Sequence, residues 1–317
     1  MNIVFCADRK ALTGLHVAAY SLLASISPSI DRTNFFIFSD ALDHTDLALL
    51  RQTLSSLNRP FNLELRRVDG AIFNGFPSLN GSWATYYRLA VPRILEVPQF
   101  LYVDADTLCD LDVSELMSLD MMGVPAGLVP EAPLAKAADR AVAEQLGNSE
   151  VQPYFNAGVI YVNVAEWRRQ KITEQAMDYL AKQHPDYWDQ SALNIVLHKK
   201  AVSLGEKFNC IANMRKHWPA LNQPRGQINR LVHFLDYPKP WDVLGEWVHP
   251  HYSLWRSVLD KTELKGFRSW HATPSRIFPK TPKARKAYLK VFKDRLLFTG
   301  YSRGWLKKVK GLPQNQV

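Results

Sequence analysis

Short apolar runs alternate with segments of helical period through most of the chain. Asn2–Ala7, Asn34–Ser39, Asn62–Val68, Gln99–Val103, Met122–Leu128, Phe155–Asn163 and Leu231–Leu235 have the length and bounding residues of strands. Gly14–Ser25, Thr45–Leu57, Thr85–Leu95, Ala165–Lys182 and Asp189–Leu197 repeat their apolar positions as helices do. This alternation predicts an α/β fold with a largely parallel sheet. The ligand crevice of such sheets lies beyond the carboxyl ends of the strands, so residues just after each strand are the candidates for chemistry. The run Leu15–Leu23, preceded by Arg9 and Lys10, imitates a secretory signal, but His16, Tyr20 and Ser21 interrupt it. A strand followed by a helix is the expectation there. No run reaches the ~18 apolar residues of a membrane span.

Composition narrows the class. The 317 residues are 47% hydrophobic and 11% aromatic, which excludes a disordered chain. Cys6, Cys109 and Cys210 lie far apart, so neither a disulfide framework nor a paired-cysteine zinc site is supported, and a reducing compartment is expected. The net charge of +9 is unevenly placed: Lys261–Val317 hold 15 basic and 2 acidic residues, which leaves a mildly acidic body. Within this tail Thr281-Pro282 opens and Gly300 closes a basic amphipathic helix, followed by Trp305 and a lysine cluster. That pattern suits an anionic membrane surface, or else an ordinary packing helix with a solvated basic face. The organisation expected is a catalytic domain over 1–250 and a basic extension over 251–317.

The strongest local feature is Gln99-Phe-Leu-Tyr-Val-Asp104-Ala105-Asp106-Thr107, an apolar strand ending in two carboxylates. If the strand continued, both would point to one side. Paired carboxylates repel each other unless a hard cation such as Mn²⁺ or Mg²⁺ lies between them. Two enzyme classes carry Asp-x-Asp at a strand end. Haloacid-dehalogenase-like phosphatases place it on the first strand, and Thr107 suits them. Nucleotide-sugar transferases of the GT-A (Rossmann-like) fold place it after a nucleotide-binding half, which is its position here. A nucleic-acid binder would account for the basic tail but not for the acidic body or the paired carboxylates.

Further segments follow in order: Phe5-Cys-Ala7-Asp8, Thr85-Tyr-Tyr-Arg88-Leu89, Phe155-Asn156-Ala157-Gly158, Trp188-Asp189-Gln190, and His233 with Lys239-Pro240-Trp241. Together they resemble glycosyltransferase family 8, and within it the bacterial lipopolysaccharide galactosyl- and glucosyltransferases, from Met1 to about Trp241. The resemblance implies a retaining hexosyltransferase that takes galactose or glucose from a UDP-sugar to a saccharide or lipid-linked glycan. It implies Asp104, Asp106 and His233 as ligands of Mn²⁺, or of Mg²⁺. Ala7, Asp8, Arg88, Ala105, Asn156, Ala157, Gly158 and Lys239 are implied on the donor, with Asp189 and Gln190 at the sugar ring. With the basic tail, it implies a cytoplasmic enzyme on the inner face of the membrane, with no nucleic-acid partner.

The residue types agree with these roles. An imidazole is a good third ligand beside two carboxylates, and Lys239 offers a point charge for a diphosphate. Arg88, in an otherwise apolar stretch, needs an anionic partner if it is buried. Asp189 and Gln190 also suit a plain helix start, but the Gln190 amide can stabilise an electron-poor sugar carbon by its dipole. Two departures stand out. Arg9-Lys10-Ala11-Leu12 replaces the aromatic that family members place on the base after Asp8, and Asp236 replaces a glycine before Lys239.

Overall fold

The computed structural model describes residues 1–78, 82–212, 221, 223, 225–235, 239–242, 245–268 and 289. In chain order the elements are β1 (Asn2–Cys6), α1 (Leu12–Ser25), β2 (Thr33–Ser39), α2 (His44–Ser55), β3 (Phe61–Arg67), α3 (Ala84–Ile94), β4 (Gln99–Val103), β5 (Thr107–Cys109), β6 (Ala126–Pro133) and α4 (Arg140–Gln145). Then come β7 (Pro153–Asn163), α5 (Val164–Arg169), α6 (Ile172–Gln183), α7 (Trp188–Val196), β8 (Val202–Ser203), β9 (Cys210–Ala212), β10 (Leu231–Phe234), α8 (Gly245–Val248) and α9 (Tyr252–Leu259).

Seven strands form one sheet in the order β3-β2-β1-β4-β7-β6-β8. β1 to β4 run parallel, and β7 runs against both its neighbours. The central strands are buried on both faces, which is why they read as continuous apolar runs. Ile3 and Phe5 of β1 pack under α1 and α2 with Leu15, Leu22, Leu50 and Leu54. Val4 and Cys6 face the opposite layer, with Tyr86 and Leu89 of α3, Trp167 of α5, Leu180 of α6 and Leu193 of α7. The expected strand and helix before Ser25 are β1 and α1, and Leu15, Val17, Leu22 and Leu23 are core residues. Cys6, Cys109 and Cys210 are buried, and none forms a disulfide. No helix among the described residues is long and apolar enough to cross a membrane.

Two expected segments have different bounds. The segment Ala165–Lys182 is two helices, because Lys171 adopts a left-handed conformation (φ 54°) and the helical period continues through the break. The strand expected at Met122–Leu128 starts at Ala126 and runs on to Pro133, since Gly123 turns the chain (φ 74°) and leaves Met122 in solvent. The strand β5 goes unpredicted. It joins β10 and β9 in a small second sheet, antiparallel to β10 with His233 opposite Thr107. Helix α9 packs on α1 through Leu254, Trp255 and Val258 against Val17 and Tyr20. Apart from Leu289, the expected tail helix and the rest of Thr281–Val317 lie outside the described residues.

One buried histidine gives the fold a pH dependence. His16 of α1 is fully buried, its Nδ1 2.9 Å from Thr53 Oγ1 of α2 and its Nε2 without a partner among the described residues. Burial pushes its pKa down to about 4. Below pH ~6.5 the unfolded chain therefore binds a proton that the folded chain refuses, so stability falls with pH over this window. Between pH 7 and pH 5 the wild type should lose about 2 kcal/mol more than His16→Gln in denaturant titrations. Equal losses would contradict this reading of His16.

Candidate active site

The two carboxylates meet through a turn rather than through strand alternation. β4 ends at Val103, and Asp104 N–H donates to Gly158 O of β7 at 2.8 Å. Thr107 Oγ1 then donates to Asp104 O at 2.9 Å, closing a tight reversal into β5. A side chain at Gly14 of α1 would stand 2.5 Å from Ala105 O, so the helix abuts this turn only because position 14 is glycine. The register of β5 with β10 sets His233 over the same turn. Asp104, Asp106 and His233 each offer one ligand atom, all within 4.8 Å of one another.

The protonation pattern of this cluster follows from one backbone amide. Gly158 N–H donates to Asn156 Oδ1 at 2.9 Å, which identifies that atom as the amide oxygen. Asn209 Nδ2 donates to the same oxygen at 2.8 Å, so Asn209 turns its own oxygen to His233 Nδ1, 2.9 Å away. That oxygen can only accept, so Nδ1 carries the proton. In the neutral ring Nε2 is then a bare lone pair aimed at Asp106 Oδ1, 3.1 Å away, with Asp104 Oδ2 at 3.8 Å. Nε2 and Asp106 Oδ1 are both buried, and neither has a hydrogen-bond partner among the described residues. Two acceptors in contact need a proton or a cation between them. Two carboxylate oxygens and one imidazole nitrogen suit a divalent ion.

Electrostatics around the turn agree. Burial alone would raise the Asp106 carboxyl, but the Lys239 ammonium beside it holds it well below the usual carboxylate range. Lys239 Nζ donates to Asp106 Oδ2 and, at 2.8 Å, to Phe234 O. Asp236 lies outside the described residues.

Arg88 has the anionic partners that its burial demands. Its Nη2 donates to Asp104 Oδ1 at 2.9 Å, its Nε lies 3.0 Å from Asp189 Oδ2, and its Nη1 donates to Ala157 O. The guanidinium also stacks over Tyr102, 4.5 Å from the ring centroid. Asp189, opening α7, is buried and accepts from Thr85 Oγ1 at 2.5 Å. Burial pushes its carboxyl pKa up, and Arg88 opposes that shift. Gln190 Oε1 accepts from Ala157 N at 3.0 Å and from Asn156 Nδ2 at 3.2 Å, and Asn156 Nδ2 is also 3.4 Å from Glu131 Oε2. Most of the sequence-derived residues therefore form one connected group.

The remaining residues are placed as follows. Gly158 makes room for the His233 ring, since a Cβ there would lie 2.1 Å from Cε1. Ala7 and Asp8 follow β1, which pairs with β4, so they lie at the same sheet edge as Asp104. Asp8 Oδ1 caps the next turn by accepting from Lys10 N and Ala11 N at 2.9 and 3.1 Å. Arg9 is drawn aside to Asp43 and Asp46, at 2.8 and 2.9 Å, which cap α2. Sequence reasoning missed Asn209, Tyr102 and Thr85. Tyr102 was within reach, since it stands two residues before Asp104 and donates to it.

Comparison with known proteins bears on this geometry. The family model described as "Glycosyl transferase family 8" matches residues 2–245. Lipopolysaccharide 1,2-glucosyltransferase of Escherichia coli is 26% identical over 286 residues, covering 83% of this chain and 82% of its own. Lipopolysaccharide 1,3-galactosyltransferase of Salmonella typhimurium is 28% identical over 265 residues, covering 80% and 76%. Among solved structures, the galactosyltransferase LgtC in complex with donor and acceptor sugar analogues superposes with a TM-score of 0.67 at 23% identity, over 83% of this chain and 96% of that one. The expected GT-A fold is thus the fold observed.

Proposed function

The chain belongs to glycosyltransferase family 8, and on that footing we propose that it is a metal-dependent, retaining enzyme that moves galactose or glucose from a UDP-sugar to a saccharide acceptor. The acceptor proposed is a lipid-linked glycan in lipopolysaccharide or other cell-surface glycan synthesis, reached from the inner face of the membrane. The names of the two lipopolysaccharide transferases support that acceptor class and both sugars. The observation that carries the metal dependence is the partnerless pair of Asp106 Oδ1 and His233 Nε2.

Asp104, Asp106 and His233 would hold the cation, Mn²⁺ or Mg²⁺, which when bound supplies positive charge for the departing diphosphate. Lys239, balanced between Asp106 Oδ2 and the Phe234 carbonyl, can give a hydrogen bond to a phosphate oxygen instead. Asp189 is held by Thr85 and Arg88 and so fixes the start of α7, presenting Gln190. Gln190 is a poor base, and its role is to set a carbonyl dipole beside the sugar carbon. Asn156, Ala157 and Gly158 line the same sugar pocket beside Gln190, and Asp8 with Ala7 lies toward the nucleoside.

The test is release of UDP from UDP-galactose and UDP-glucose, with Mn²⁺ and with excess chelator. Mn²⁺-dependent release, lost with chelator and restored by Mn²⁺, is the expected result. Equal release under both conditions would refute the metal dependence, and phosphate trapped on Asp104 would favour the phosphatase chemistry instead.

A further inference from the structure

Beside Gln190 lies a buried polar group to which the proposed reaction assigns no part. Gln190 Nε2 donates to Tyr154 Oη at 3.2 Å, and Tyr154 Oη is 3.1 Å from Asp139 Oδ2. The same carboxylate oxygen accepts from Ser191 Oγ, and Asp139 Oδ1 caps α4 by accepting from Val142 N at 3.3 Å. Asp139 is 2% exposed and Tyr154 3%. The Tyr154 ring packs with Leu134, Ala137, Val142 and Ala143 in a small apolar cluster of its own, so only its hydroxyl reaches the polar group.

The direction of every bond here is fixed. Ala157 N–H donates to one end of the Gln190 amide, so that end is the oxygen and the NH₂ end faces Tyr154. A tyrosine hydroxyl has a single proton. To accept from Gln190 it must send that proton elsewhere, and Asp139, an acceptor to each neighbour, receives it. Burial pushes the Tyr154 phenol well above its ordinary pKa, so the proton stays on it. Were Asp139 absent, the Tyr154 hydroxyl could turn its proton toward Gln190, where only the reversed amide would accept it. The reversed amide would set its NH₂ against Ala157 N–H.

We propose that Asp139 and Tyr154 are positioning residues that hold the Gln190 amide with its oxygen toward Asn156 and Ala157. This rests on the reading of Gln190 as the residue beside the sugar ring. The 134–152 excursion thereby reaches the reacting centre through one hydroxyl, from a stretch whose sequence carries no motif.

The test is a double-mutant cycle read by Mn²⁺-dependent UDP release from UDP-galactose and UDP-glucose. Tyr154→Phe should lower kcat roughly tenfold, the loss of one buried hydrogen bond, with the donor KM within about twofold. Gln190→Ala should lower kcat further, and Tyr154→Phe added to it should cost nothing more, because its effect passes through Gln190. The same tenfold loss in both backgrounds would mean a structural role and overturn the proposal. No loss from Tyr154→Phe while Gln190→Ala is impaired would overturn it and leave the reading of Gln190 standing. Full activity in Gln190→Ala would overturn both. Asp139→Asn, equal in size, supplies the same comparison should Tyr154→Phe not fold.

Discussion

Asp106→Ala is expected to cut Mn²⁺-dependent UDP release by roughly 10³-fold or more, the scale on which loss of one transition-state charge contact is felt. The substitution removes the acceptor that faces His233 Nε2 and the partner of Lys239 Nζ together. Asp104 and His233 alone would leave two of the three proposed ligands. The fold should survive, because among the described residues the Asp106 carboxylate meets just Lys239 and His233 of the same pocket, and β5 pairs with β10 through backbone groups. Melting within a few degrees of wild type, together with lost turnover, is the combination to look for. Undiminished transfer would remove Asp106 from the reaction.

Arg88→Met should produce the largest loss of stability. Arg88 is buried between Asp104 and Asp189, with further bonds to Thr85 O, Thr85 Oγ1 and Ala157 O. Methionine fills part of the volume but leaves carboxylates in a low-dielectric site without their cation. Removing one member of a buried charged group in this way typically costs about 3–5 kcal/mol. The cost has a pH signature. The Asp189 carboxyl already has a raised pKa because of its burial, with Arg88 opposing the shift. Without Arg88 it rises further, so folded Asp189 holds a proton that the unfolded chain releases, and stability falls as pH rises. The difference between variant and wild type should therefore be larger at pH 8 than at pH 5 in denaturant titrations. A difference that does not change with pH would argue against Asp189 as the residue left stranded.

The parallel half of the sheet was legible because β1, β2 and β4 are buried on both faces, which writes each as an apolar run, while the edge strand β3 alternates apolar and polar positions. β5, β8 and β9 carry only two or three residues each, too few to show a period, and their strand state comes from pairing with distant segments. The same limit hid how the site assembles. Asp104, Asp106 and His233 were recognisable by type, but the reversal at Asp104–Thr107 and the register of β5 with β10 are tertiary facts. Arg88 was readable as a charge needing a partner, while its second carboxylate, Asp189, arrives on another helix. Asn209 is a lone asparagine before a three-residue strand, and nothing local marks it as the group that fixes the His233 tautomer. Asp139 looks like any helix cap until Tyr154 and Ser191 are folded against it.

Direct titration of Mn²⁺ in the presence of UDP, followed by the paramagnetic resonance signal of the free ion, addresses the gap between Asp106 and His233 most closely. Wild type should take up Mn²⁺ stoichiometrically. Asp106→Ala and His233→Ala should each bind it more weakly by about a hundredfold or more, a larger loss than second-layer changes around metal sites produce. Equal Mn²⁺ uptake by all three proteins, each shown to be folded, would contradict the account.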